Sequence, residues 1–137
     1  GDINTPVKYG TPTLRQMLAD VDANLTETFI QNELPAEFQA AYRRRLSEGK
    51  DDTLEGRILS VADKVDLLYE SFGEIQKGNP ESVYTEIYRE SLRTIVAFAD
   101  MVSVQYFFKE ILPDLLAENF TNQEELRRIT QQITAEK

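Results

Sequence analysis

Three groups of residues have types and spacings that could do chemistry. Asp63, Asp66 and Glu70 follow one another at steps of three and four, which on a helix brings side chains onto one side. Carboxylates so placed can bind a hard divalent cation or share a proton. The same spacing also describes a solvated acidic face beside an apolar stripe; that reading is favoured, and periodicity does not single out Asp63 from its neighbours. Arg43, Arg44 and Arg45 form the only basic run, and guanidinium forks suit phosphate. Consecutive helical residues point in different directions, so surface pairing with carboxylates near in sequence, such as Asp51, Asp52 and Glu55, is the expectation. Tyr106, Phe107 and Phe108 could stack on bases, but aromatics on an amphipathic helix more often serve a core or a subunit contact.

The composition removes other chemistries. The 137 residues include no histidine, cysteine or tryptophan. A thiolate nucleophile, a disulfide, a zinc finger and a Ser-His-Asp triad are therefore excluded within the chain, and a metal bound by it alone needs oxygen ligands. Asp and Glu number 24 against 15 Lys and Arg, a net charge of −9. This balance argues against attraction to nucleic acid or to anionic membranes. No apolar run approaches the roughly 20 residues of a transmembrane helix, and the first residues lack the pattern of a signal peptide, so the expected location is the cytoplasm.

The elements that must position these residues are helical. Six glycines and five prolines are few breakers for this length, and no stretch alternates with period two. Residues 1 to 12 read as an entrance loop. Leu14, Met17, Leu18, Val21, Leu25 and Phe29 then mark one face of a first helix that ends near Leu34, because Pro35 disfavours a helical residue before it. A shorter helix carries Phe38, Ala41, Tyr42 and Leu46 as far as the loop at Gly49. The broadest stripe runs from Leu54 through Ile58, Val61, Val65, Leu68 and Phe72 to Ile75 and stops at Gly78-Asn79-Pro80, which predicts a central third helix. A fourth follows from Val83 to about Ala99, with an interruption over 100–103, and a fifth carries the aromatic cluster to a kink or new start at Pro113. Thr121 to Glu125 reads as the capped start of a polar last helix, 121–137, holding Leu126, Ile129 and Ile133. The expected architecture is all-α, a bundle of five or six helices forming a single domain over 1–137.

Three segments carry a resemblance. Gly1-Asp2-Ile3-Asn4-Thr5-Pro6-Val7-Lys8-Tyr9 resembles the run Gly-Asp-hydrophobic-Pro-Thr-Pro-Val-Lys-Tyr that follows the central motif of HD-domain phosphohydrolases of the bacterial 5′-deoxynucleotidase type, with Asn4 in place of the usual proline. Ser60-Val61-Ala62-Asp63-Lys64, followed by Gly78-Asn79, is similar to that family's Ala-Asp helix and its Gly-Asn end. Tyr106 to Pro113 is similar to an aromatic-rich helix near its C-terminus, and the three occur in family order.

The resemblance implies the C-terminal part of an HD-domain fold and hydrolysis of (deoxy)nucleoside 5′-monophosphates to nucleoside and phosphate, with a divalent metal such as Mn²⁺ or Co²⁺ as cofactor. Asp63 matches the family's metal-ligating aspartate distant from its His and His-Asp motifs. Asp2 matches an aspartate beside the nucleotide sugar that favours 2′-deoxyribose. The family's histidines and its catalytic Glu have no counterpart in these residues. The expectation is therefore the C-terminal portion of a longer enzyme, inactive by itself and binding metal weakly, and the resemblance also implies a homodimer. The alternative is a non-enzymatic, acidic helical module that docks a protein partner.

Overall fold

A computed structural model describes residues 11–48, 51–118 and 120–136. Among them every regular element is helical, as expected, and there is no strand. By compactness the chain divides at Leu59 and Ser60 into two units.

The first unit opens with α1, Pro12–Glu33. Thr11 is extended and its hydroxyl accepts a hydrogen bond from the Leu14 N–H at 3.1 Å, while Pro12 occupies a first-turn position that needs no donor. Leu34, with φ −101° and ψ 136°, leaves the helix at the point Pro35 requires. Helix α2, Ala36–Glu48, begins at once and packs on α1. Helix α3, Leu54–Gln76, starts where the Thr53 hydroxyl accepts from the Gly56 N–H at 3.1 Å. Gly56 is needed there, since a Cβ would lie 2.5 Å from the Asp51 carbonyl oxygen and 2.8 Å from that of Glu48.

The apolar face expected of α1 exists, but little of it is covered. Met17, Val21, Leu25 and Phe29 are exposed, as are Phe38, Tyr42 and Leu46 on α2. Among the described residues up to Leu59 only Ile30 and Gly56 are buried. The third helix is likewise central in its C-terminal half alone: Leu68, Phe72 and Ile75 are buried, whereas Leu54, Ile58 and Leu59 are exposed.

The second unit holds the core. Helix α3 ends at Gly78, whose φ of +84° is the left-handed conformation that glycine tolerates best. The Gly78 N–H reaches the Ile75 carbonyl and the Asn79 N–H that of Glu74, each at 3.0 Å. Helix α4, Ser82–Val96, buries Ile87, Tyr88, Ser91, Leu92 and Ile95 and packs against the last helix. After a turn, one continuous helical run comprises α5, Val102–Tyr106, a π-helical turn, Phe107–Ile111, and α6, Leu112–Ala117. The widened turn has a cause in Pro113: its ring would clash with the carbonyl four residues back in a regular helix. The register shifts just before it, so that the Leu112 N–H bonds to the Phe107 carbonyl instead. Helix α7, Gln123–Ala135, places Leu126, Ile129 and Ile133 in the core. Its start differs from the expected side-chain cap. Asn122 stands at the N-cap without a capping bond, and instead the Gln123 amide and the Arg127 guanidinium donate to the Leu116 carbonyl at 2.7 and 3.1 Å, satisfying the open end of α6.

Candidate functional site

Asp63 lies on α3 in the second unit, and its side chain is 70% exposed, with one oxygen 3.8 Å from the Lys64 ammonium. Asp66 and Glu70 are also exposed. Among the described residues no group of three or more carboxylates is gathered closely enough to hold a metal ion. The described residues by themselves therefore do not fit a resident metal: they offer separate oxygen donors and, with no histidine in the chain, no imidazole. Asp2 and the rest of the Gly1 to Tyr9 segment lie outside the described residues.

The basic run splits as helix geometry demands, but its partners differ from those expected. Arg43 donates two bonds to Glu27 of α1, one of them at 3.1 Å. Arg44 and Arg45 turn to Glu48 at 3.7 and 3.2 Å. The partners are a facing helix and the next turn of the same helix, because α1 and α2 fold back on each other at Pro35, which sequence proximity does not reveal. The hydrogen bond from Arg43, with a further one from Gln31, holds the Glu27 carboxyl below its usual range. The aromatic trio also separates: Phe107 is buried, Phe108 meets it edge-on at 5.5 Å, and Tyr106 is exposed. A shared stacking platform is absent and the core role holds.

The Gly78-Asn79 pair has a structural task. The Asn79 amide donates to Glu74 at 3.1 Å, and its oxygen accepts from the Glu81 N–H at 3.1 Å, so one side chain joins the end of α3 to the start of α4. That bond to Asn79 is the main reason the Glu74 carboxyl stays below its usual range. Nearby, burial and then the carboxylates of Glu74, Glu81 and Glu70 push the Tyr84 hydroxyl up. A polar cleft of about 430 Å³ opens beside this junction, lined by Asn79, Glu81, Thr85, Asn122 and Glu125 among others. An apolar cleft of about 450 Å³ lies between Phe108, Leu112, Pro113 and Leu116 on one side and Thr130 and Thr134 on the other. Neither is lined by Asp63. Sequence reasoning missed the buried pair Tyr88 and Thr130, 2.8 Å apart across α4 and α7. The only signal available was a tyrosine and a threonine on the apolar faces of two helices.

Comparison with known proteins completes the picture. The chain is similar to a crystal structure of an HD-domain phosphohydrolase from Listeria innocua, with 58% identity, a TM-score of 0.79, all of this chain covered and 65% of that one. It is also 25% identical over 113 residues to a 5′-deoxynucleotidase of Pasteurella multocida, covering 82% of this chain and 56% of that protein. The chain thus spans somewhat more than half the length of each. The helical fold and a match of residues 1–115 to the family described as 5′-deoxynucleotidase YfbR-like converge, and the chain belongs to that family of HD-domain phosphohydrolases.

Proposed function

We propose that these residues serve a metal-dependent hydrolysis of nucleoside 5′-monophosphates, with Asp63 as one oxygen ligand of the divalent ion and Asp2 beside the sugar. The observation that carries the reading is the family match, which runs through both aspartates. In the reaction, water adds to phosphorus, the bond from phosphorus to the 5′-oxygen breaks, and that oxygen takes a proton to leave as the nucleoside. A divalent ion such as Mn²⁺ or Co²⁺ supplies activation of the water and neutralisation of phosphate charge when bound. The exposed carboxylate of Asp63 is a hard donor free to turn toward such an ion. Imidazole donors come from outside these 137 residues, since the chain has none. A cytoplasmic location belongs to the same proposal.

The similarity to the Listeria innocua phosphohydrolase over the whole of this chain makes a graft the direct test. These 137 residues replace the aligned portion of that protein, and phosphate release from dAMP and AMP is followed with Mn²⁺ or Co²⁺. The chimera is expected to be active, to lose at least about 100-fold on Asp63→Asn, and to lose preference for dAMP over AMP on Asp2→Ala. The isolated chain is expected to release no phosphate above background. A folded chimera without activity, or full activity in the Asp63→Asn form, overturns the proposal.

A further inference from the structure

The apolar cleft of about 450 Å³ between α6 and α7 is lined by none of the residues assigned to the reaction. Its volume lies within the roughly 300–1,000 Å³ of small-molecule sites. Both of its walls are anchored. The Leu116 carbonyl accepts from Gln123 and Arg127 at 2.7 and 3.1 Å, which ties the end of α6 to the first turns of α7. On the other wall, Tyr88 of α4 holds the Thr130 hydroxyl at 2.8 Å. Phe108 stands in the π-helical turn, and Leu112 and Pro113 follow it directly. The widened turn that absorbs Pro113 therefore sets where this wall stands, and single π-helical turns recur at functional sites.

The chemistry of the lining selects the ligand. Phe108, Leu112, Pro113 and Leu116 offer carbon, Thr130 and Thr134 offer hydroxyls, and none of the six is charged in a chain where 28% of residues are. A phosphate ester finds no cation there, which separates this cleft from nucleotide binding. Each hydroxyl has one proton and two lone pairs, and both protons are already committed: Thr130 donates to the Leu126 carbonyl at 2.7 Å and Thr134 to the Thr130 carbonyl at 2.8 Å. The polar part of the wall therefore accepts and does not donate. Thr130 also accepts from Tyr88, which leaves the half-buried Thr134 as the more open acceptor. We infer that the cleft binds a small, neutral aromatic molecule carrying one hydrogen-bond donor, with its ring against Phe108, Pro113 and Leu116 and its donor on Thr134 Oγ1. The donor sets specificity, because an apolar body without one strips water from that oxygen and returns no bond. The inference is independent of the proposed reaction.

Indole serves as the probe, with 1-methylindole lacking the donor and indole-3-acetate adding a charge. The chain has no tryptophan, so indole fluorescence reports the ligand alone, and NMR of the amide groups of the full 137-residue chain locates it. Indole is expected to bind with a dissociation constant on the order of 1 mM or tighter, shifting amides within 108–116 and 130–134 and leaving those of 17–46 in place. 1-Methylindole is expected to bind about 10-fold more weakly, and indole-3-acetate more weakly still, since its carboxylate meets no counter-charge. Thr134→Val keeps the shape and is expected to erase the preference for indole over 1-methylindole, whereas Thr134→Phe fills the cleft and is expected to abolish binding of both. Equal affinities for indole and 1-methylindole in the wild-type chain, a preference that survives Thr134→Val, or shifts spread over α1 and α2 overturn the inference. So does a wild-type chain that ignores indole yet loses a dimer on Thr134→Phe, which assigns the cleft to a second copy. Should either variant lose helix by circular dichroism, the comparison of the three ligands on the wild-type chain decides.

Discussion

Helices α1 and α4 are amphipathic on the same spacing rule, yet they end in opposite circumstances. Helix α4 buries five residues against its neighbours, three of them, Tyr88, Leu92 and Ile95, with no accessible surface. Helix α1 is longer and buries Ile30 alone. The difference does not lie in the helices' apolar content but in what faces them: α4 packs on α7 in a unit whose core is drawn from four helical segments, whereas α1 has α2 as its packing partner within its own unit. A stripe of leucines states a demand for burial, and only a facing surface meets it.

The widest gap between the two units should appear on truncating a leucine in each. Leu92→Ala removes a fully buried side chain and is expected to cost about 2–5 kcal/mol. Leu54→Ala removes an exposed one and should stay within about 0.5 kcal/mol. Urea unfolding followed by circular dichroism reads both, and equal losses would erase the distinction between a packed and an open unit.

A smaller contrast concerns polar pairs. Thr130 gives its hydroxyl proton to the Leu126 carbonyl at 2.7 Å, so in the 2.8 Å contact with Tyr88 the tyrosine is the donor. Tyr88→Phe removes that bond but leaves Thr130 satisfied, which should cost about 1 kcal/mol. Burial raises the Tyr88 pKa above 10.0, only partly offset by the bond to Thr130. A folded-state value above the unfolded one gives stability that is complete below about pH 10 and lost as pH rises further. The Tyr88→Phe variant should therefore show a shallower alkaline limb in a plot of unfolding free energy against pH, with Tyr84 titrating alike in both proteins. Identical alkaline limbs would mean that Tyr88 is more hydrated than its position implies.

The smallest effect is expected at Glu27. Its folded-state pKa lies below the ordinary 4.5, chiefly because Arg43 donates to it, so any contribution is present above the unfolded value and fades as pH falls through the folded one. The pair is solvent-exposed and screened. Glu27→Gln should leave the unfolding midpoint at pH 7 unchanged and remove only a slight acid-side slope. A clear loss at pH 7 would show that α1 and α2 depend on this pair in place of a core.

Much of the helical layout was legible from particular residues. Pro35 marked the end of α1 and Gly78 that of α3, because each imposes a backbone conformation regardless of surroundings. Leu126, Ile129 and Ile133 marked the buried face of α7 within a polar sequence. The start of that helix was misread, since a Thr-to-Glu spacing resembles a capping box whether or not the side chains are free to close it, and here Gln123 and Arg127 are drawn to the Leu116 carbonyl. Asp63 enters the proposed site through the resemblance of its segment, while its exposure and the lack, among the described residues, of a three-carboxylate group that could hold a metal ion could not be read from spacing, because spacing fixes which side of a helix a residue takes and not what stands opposite.

The sequence by itself determined the all-α class, the places where helices stop and the absence of nitrogen ligands, since these follow from local backbone preference and from composition. The tertiary structure decided which apolar stripe became core, which arginine met which carboxylate, and how Pro113 was absorbed as a π-helical turn. Those outcomes depend on contacts between residues far apart in the chain, such as Tyr88 with Thr130 and Arg43 with Glu27, and such contacts exist only once the helices have found one another.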